Sequence, residues 1–266
     1  MHDKVFGRLR EFLRLNHIKV VERGNLALLM ALEMVSKVNP TKNVILIPDQ
    51  GGWISFKNYP LLFNFEIREV KTDYGIIDLE SLSKNAKDAS ALLITFLAGY
   101  FAEQPLKEIS KICKENKCLL VEDATGAIGD NILCNGNFSD IIIGSFGVKD
   151  IVNLGYGGFI AFREYDWVNY IKISSSLSKV HERIYFDILV KLNRNRLNQL
   201  FEKAEKVKNE LEDFEVIHRN KRGLNVVVKF TSEIIKYCDR NNYPYILCPE
   251  YTRVNESAIS IELKNL

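Results

Sequence analysis

The chain has 266 residues, with 36 lysines and arginines against 34 aspartates and glutamates, and 47% hydrophobic residues, enough apolar material for a large core or a large and a small one. That composition excludes general disorder, and a formal net charge of +2 singles out no polyanionic partner. The richest basic stretch, Lys191 to Arg222, mixes nine positive with six negative side chains at helical spacing, which reads as a solvated helix face and not as a track for nucleic acid.

In chain order, Met1-His2-Asp3-Lys4 opens a mixed-charge stretch through Arg14 with no apolar core of a secretory leader, so a cytoplasmic protein is expected. Leu26 to Leu32 is apolar on every side, predicting a buried helix over 25–37 that Asn25 could cap. Val44 to Ile47, ending at Pro48, reads as an interior strand, and further strands are expected at 67–70, 91–96, 118–122 and 141–144. Pro105 opens a crossover helix that places Leu106, Ile109, Ile112 and Cys113 on one face. After the turn Gly155-Tyr156-Gly157-Gly158 comes a strand at 159–162, and Ser174-Ser175-Ser176 reads as a connection. A long amphipathic helix is then expected over 182–212, followed by strands at 225–230, 245–247 and 258–262 around a helix near 233–241.

This alternation predicts an α/β fold with a mostly parallel central sheet and helices on both faces. Two domains are expected, a large cofactor-binding α/β domain over 1–175 and a small C-terminal α+β domain over 176–266. The longest apolar run, Ala91 to Ala102, is well short of the roughly 20 residues that span a bilayer. Five cysteines in a chain of this length read as reduced, mostly buried thiols. Four scattered histidines at 2, 17, 181 and 218 offer no pair of metal ligands, so no metal is expected.

Ligands of open α/β sheets bind at the carboxyl ends of the strands, and four places there can carry chemistry. Gly24 and Asn25 open the buried helix, where free backbone N–H groups and the positive dipole end suit a phosphate, although a plain helix cap would look the same. Leu119-Leu120-Val121-Glu122-Asp123 delivers an acidic pair to a strand end, for a cation, a protonated ring nitrogen or the cap of the next helix. Ser145 and Lys149 follow another buried strand; a lysine in a cleft can form a Schiff base with an aldehyde, whereas one in a turn is simply solvated. Trp53 follows Asp49-Gln50-Gly51-Gly52 and supplies an aromatic ring, for a ligand or for the core.

Taken in order, these pieces resemble the DegT/DnrJ/StrS family of sugar aminotransferases, fold-type-I proteins dependent on pyridoxal 5'-phosphate (PLP). The resemblance rests on Gly24-Asn25-Leu26-Ala27-Leu28, Asp49 to Trp53, Val121-Glu122-Asp123-Ala124, Ser145-Phe146-Gly147-Val148-Lys149 and Asn153-Leu154-Gly155-Tyr156-Gly157-Gly158. It implies the PLP-dependent transferase fold of the aspartate aminotransferase type and a homodimer. The implied activity is amino transfer from a small-molecule amino-acid donor to a keto acceptor, such as a nucleotide-linked sugar; the charge pattern and the short apolar runs separately predict no nucleic-acid and no membrane partner. Lys149 would then bond covalently to the cofactor and later move protons, and Asp123 would hold the pyridine nitrogen protonated so that the ring can act as an electron sink. Trp53 would stack on the ring, Gly24, Asn25, Leu26 and Ser145 would surround the phosphate, and Arg253 would grip the donor carboxylate. The family commonly reads Ser-Phe-His-x-x-Lys, one residue longer than Ser145 to Lys149, so an ungapped reading puts Asp150 in the place of the lysine. Its usual glutamine, three residues after the aspartate, is replaced by Gly126, with Thr125 as the nearest polar substitute. These departures keep open a degenerate member that lacks the Schiff-base lysine and serves as a ligand-binding or partner-binding homodimer.

Overall fold

A computed structural model describes residues 1–265 except Lys149, with Ile173 described by its backbone alone. Helix His2–Leu13 (α1) leads into strand His17–Val21 (β1), helix Gly24–Val38 (α2), strands Val44–Pro48 (β2) and Glu66–Val70 (β3), and helix Leu79–Asn85 (α3). Strand Ala89–Thr95 (β4), helix Leu106–Glu115 (α4) and strands Leu119–Asp123 (β5), Ile141–Ser145 (β6) and Gly158–Phe162 (β7) follow. The strands form one seven-stranded sheet ordered β1-β7-β6-β5-β4-β2-β3, in which β7 runs against both neighbours and every other pairing is parallel.

The continuous Val, Ile and Leu runs of the inner strands follow from burial on both faces. Alternate residues divide cleanly between two cores. Ile45, Ile47, Leu93, Val121 and Ile143 pack against α2, whereas Leu46, Ile94, Leu120 and Ile142 face α1 and α4. As expected from its sequence, α2 is buried along most of its length, and it carries one acid, Glu33, inward. The Glu33 carboxylate accepts from the Ser174 backbone N–H at 3.0 Å and from the Ser174 hydroxyl. Ser174 to Ser176 is therefore not a free connection: Lys172–Ser176 is a short helix (α5), and Ser174 is buried in it to satisfy Glu33.

The long helix expected over 182–212 is two helices, Arg183–Lys191 (α6) and Asn195–Glu210 (α7). Leu192 takes an extended ψ of 98° and is fully buried, and the Asn193 side chain accepts from the Asn195 N–H at 3.0 Å to restart the helix. At the far end of α7, the Arg219 guanidinium donates to the carbonyls of Lys208, Leu211 and Phe214 at 2.5, 2.7 and 2.8 Å, satisfying groups that a helix end leaves open. Strands Val226–Lys229 (β8), Tyr245–Leu247 (β9) and Ala258–Ile261 (β10), with helix Ser232–Arg240 (α8) between β8 and β9, complete the fold. They form an antiparallel sheet ordered β8-β10-β9 over a core that includes Val207, Val226, Val228, Ile234 and Ile259. A smaller cluster of Ala98, Phe101, Val227, Val254 and Ala258 joins this sheet to the chain leaving β4. All five cysteines are free thiols, four of them buried. No helix among the described residues is long and apolar enough to cross a membrane.

Candidate functional site

At the carboxyl ends of β5 and β6, on the side covered by α2, lies a cleft of about 360 Å³. Gly24, Asn25, Trp53, Asp123, Thr125 and Ser145 line it together, although they come from four separate places in the sequence. Arg253 lines the same cleft, contributed by the turn that precedes β10. Lys149, the expected lysine, lies outside the described residues. Leu26 is not brought to the cleft: its side chain packs in the core beneath α2, and its N–H donates to the Arg23 carbonyl at 3.0 Å.

The first turn of α2 approaches β6 so closely that a Cβ on Gly24 would lie 2.7 Å from Ser145 Cβ. Only glycine permits this approach. The turn has no side-chain cap, and the capping role expected for Asn25 is not what the structure places there. The Asn25 side chain reaches across the cleft instead, where its oxygen accepts from Trp53 Nε1 at 3.3 Å and from the Ser55 hydroxyl at 3.5 Å. The helix start thus presents its positive dipole end to the cleft beside the Ser145 hydroxyl, an arrangement that suits an anion.

Strand alternation separates the two acids of β5. Asp123 faces the cleft, and its carboxylate accepts the Thr125 N–H at 2.9 Å. Burial pushes Asp123 up to about 6, against the lowering effect of the Thr125 hydrogen bonds. Thr125 in turn accepts the Ser145 N–H at 3.0 Å, tying the ends of β5 and β6 together. Glu122 points through the opposite face into the core, where neither carboxyl oxygen has a hydrogen-bond partner. Burial, then the nearby Asp140, raises it well above the ordinary carboxylate value and favours its neutral form.

Asp150 also lines the cleft, and its carboxylate accepts the Gly147 N–H in a tight loop that Ser145 Oγ joins at 3.2 Å. Arg253 is not an exposed loop residue. It is 5% exposed and binds Glu262 through two hydrogen bonds of 2.7 and 2.8 Å. Burial would raise Glu262, yet the Arg253 hydrogen bonds and charge prevail and hold it below its ordinary value. Nη1 donates to the Thr252 carbonyl at 2.7 Å and to the Thr252 hydroxyl at 3.5 Å, so all three guanidinium nitrogens are engaged within the chain.

Tyr100, Arg23 and Lys264 are among the lining residues that the sequence did not single out. Tyr100 follows β4 with φ +68°, held there by a hairpin whose N–H donates to Leu97 at 3.0 Å and whose carbonyl accepts the Leu224 N–H at 2.8 Å. Its ring fills the space a Cβ on Gly126 would need, at 2.9 Å, so the glycine and the tyrosine are complementary. Burial, then Asp123 and Asp150, pushes the Tyr100 phenol above its ordinary range and keeps it protonated. Arg23 stands at the rim, and Lys264, from the turn Leu263–Asn265 after β10, reaches in with its Nζ 3.7 Å from the Tyr100 ring centroid. The one signal for Tyr100 was the Gly99-Tyr100 step inside an apolar run; Lys264 gave none, being one of many lysines. Among the described residues, no group of histidine, cysteine, aspartate and glutamate side chains could hold a metal ion.

No curated protein matches the chain. Among solved structures it is similar to Helicobacter pylori PseC, an aminotransferase involved in the biosynthesis of pseudoaminic acid, with 15% identity and a TM-score of 0.76 over 97% of this chain and 84% of that one. It is also similar to alanine–glyoxylate aminotransferase from Nostoc sp., with 14% identity and a TM-score of 0.72 over 98% and 80%. A third likeness is to cysteine desulfurase from Thermococcus onnurineus, with 11% identity and a TM-score of 0.68 over 97% and 77%. These likenesses establish the fold-type-I architecture of PLP-dependent aminotransferases and desulfurases. The profile of the MJ1341 family C-terminal domain matches residues 194–266. The profile of the DegT/DnrJ/EryC1/StrS aminotransferase family matches residues 3–200, and the chain belongs to that family.

Proposed function

We propose that the chain is a PLP-dependent aminotransferase that moves an amino group from an amino-acid donor to a keto group, with a nucleotide-linked keto sugar as the acceptor class. The observation that carries this reading is the convergence of the α2 start, Ser145, Trp53, Thr125 and Asp123 on one cleft. Those residues fit the cofactor. The close approach of Gly24 to Ser145 sets the start of α2 beside that hydroxyl, so the Asn25 N–H and the Ser145 hydroxyl would hold a phosphate there, and Asp123 would supply the carboxylate for a pyridine nitrogen. Trp53 offers its ring to the cofactor ring, and Thr125 holds the β5 and β6 ends in register beneath it. When bound, PLP supplies the electron sink for amino transfer. Arg253, which lines the cleft and is held by Glu262, would meet the donor carboxylate. The two-domain division, 1–175 and 176–266, and a homodimer belong to the same reading.

The test is a titration of the purified chain with PLP, followed by glutamate. An absorption band of bound cofactor that bleaches on donor addition supports the reading, while a cofactor that washes out on dialysis at micromolar protein sinks it. A chain that elutes as a monomer in light scattering would remove the homodimer alone.

A second reading is favoured by Asp150, whose carboxylate lines the cleft where the ungapped family pattern has its lysine. In that reading the cleft binds a ligand without transferring an amino group. PLP retained without any donor-dependent bleaching would favour it.

A further inference from the structure

We propose that Tyr100 is a ligand-touching donor of the cleft, its hydroxyl giving a hydrogen bond to the ring hydroxyl oxygen of PLP on the side of Asp123 away from the phosphate. The inference rests on the reading of the cleft as a PLP site and extends it by this one residue. It starts from the order of the strands. β5, which ends in Asp123, lies between β6, which ends in Ser145, and β4, whose end leads to Tyr100. Ser145 therefore stands to one side of Asp123 and Tyr100 to the other. Tyr100 lines the cleft and also a smaller recess that it shares with Thr95, Leu97, Asp123 and Gly126. PLP divides in the same way. Its phosphate arm and its ring hydroxyl are carried by the two ring carbons meta to the nitrogen, one on each side of the line from the nitrogen to the aldehyde carbon. With the nitrogen at Asp123 and the phosphate beside Ser145, the hydroxyl edge is left to the β4 side.

The chain fixes this donor in place without help from a ligand. Tyr100 takes a left-handed φ of +68°, a conformation costly for a tyrosine, and is held there by three backbone hydrogen bonds. Its N–H donates to the Leu97 carbonyl at 3.0 Å, and its carbonyl accepts the N–H groups of Leu224 and Asn225 at 2.8 and 3.1 Å. The ring packs on Gly126, where a Cβ would come within 2.9 Å of it, and Arg253 Cζ and Lys264 Nζ stand 5.1 and 3.7 Å from its centroid. The hydroxyl is left uncommitted: among the described residues none exchanges a hydrogen bond with it. Burial, then the charges of Asp123 and Asp150, holds its proton, so it meets a ligand as a donor and not as a base. A phenolic oxygen is the matching acceptor, and the bond strengthens when that oxygen is ionised.

The deciding experiment pairs one hydroxyl deletion with another. The full chain and its Tyr100→Phe variant, which keeps the ring over Gly126, are each titrated by equilibrium dialysis with PLP and with the PLP analogue that carries hydrogen in place of the ring hydroxyl. Tyr100→Phe is expected to bind PLP about 10-fold more weakly than the wild type, to bind the analogue as tightly as the wild type does, and to keep the wild-type melting temperature without ligand. Equal weakening of both ligands would give Tyr100 a structural role alone and overturn the proposal. PLP binding that the variant leaves unchanged overturns it too, while the function reading stands. A wild-type chain that retains neither ligand defeats the function reading and the proposal together.

Discussion

Asp123 and Glu122 are adjacent in β5, yet one sits in the cleft and the other in a core without a partner, so they give opposite tests. Asp123 titrates at about 6, so below that pH the carboxyl is neutral and no longer pairs with a protonated pyridine nitrogen. PLP affinity, followed by tryptophan fluorescence, is therefore expected to fall as pH drops from 7.5 to 5.5. Asp123→Asn should weaken binding at pH 7.5 by about 10-fold or more and flatten this dependence. For Glu122 the sign concerns stability. Its folded pKa is raised, so below the unfolded value neither state is ionised and nothing is lost; as pH rises, the unfolded chain releases a proton that the folded one retains, and stability falls until the folded group also ionises. Glu122→Gln should therefore gain in melting temperature over the wild type progressively from pH 4.5 upward, as scanning calorimetry would read; a gap independent of pH would refute the account.

Among the elements, α2 and α7 carry the clearest consequences. Gly24→Ala puts a Cβ 2.7 Å from Ser145 Cβ and must push the start of α2 off the end of β6. A loss of about 1–3 kcal/mol in urea unfolding is expected, together with weaker binding of PLP. Arg219→Ala strips three carbonyls near the end of α7 of their donor and should cost about 2 kcal/mol, leaving the affinity for PLP unchanged. Elements whose residues declare themselves locally were legible in the sequence: the apolar runs of β2, β4 and β6, the proline before α4, the all-round apolar α2. The break at Leu192 was not, because the amphipathic pattern continues through it and only burial of that leucine turns the chain. Nor was β1, whose short His17–Val21 run gains its meaning from β7, far along the chain. The site divides in the same way. Gly24, Asp123 and Ser145 follow buried strands or open a buried helix and can be read from their neighbours, whereas Tyr100 and Lys264 become lining residues only when the three-stranded sheet docks beside β4.

For the whole molecule, the cleft draws on residues from Arg23 to Lys264, so a ligand seated there binds the folded chain and not the unfolded one. PLP at about 100 times its dissociation constant should then add about 2.7 kcal/mol to stability, seen as a melting temperature that climbs with cofactor concentration. The sheet itself has a consequence in the cell. Among the described residues strand β1 pairs only with β7, His17 lying opposite Phe162, so about 140 residues must be translated before β1 has a neighbour. At ribosomal speeds that is a wait on the order of ten seconds with open backbone groups. Nascent chains stalled before Gly158 should accordingly be held by chaperones and cut readily by protease, and those released beyond Phe162 should shed both vulnerabilities at once.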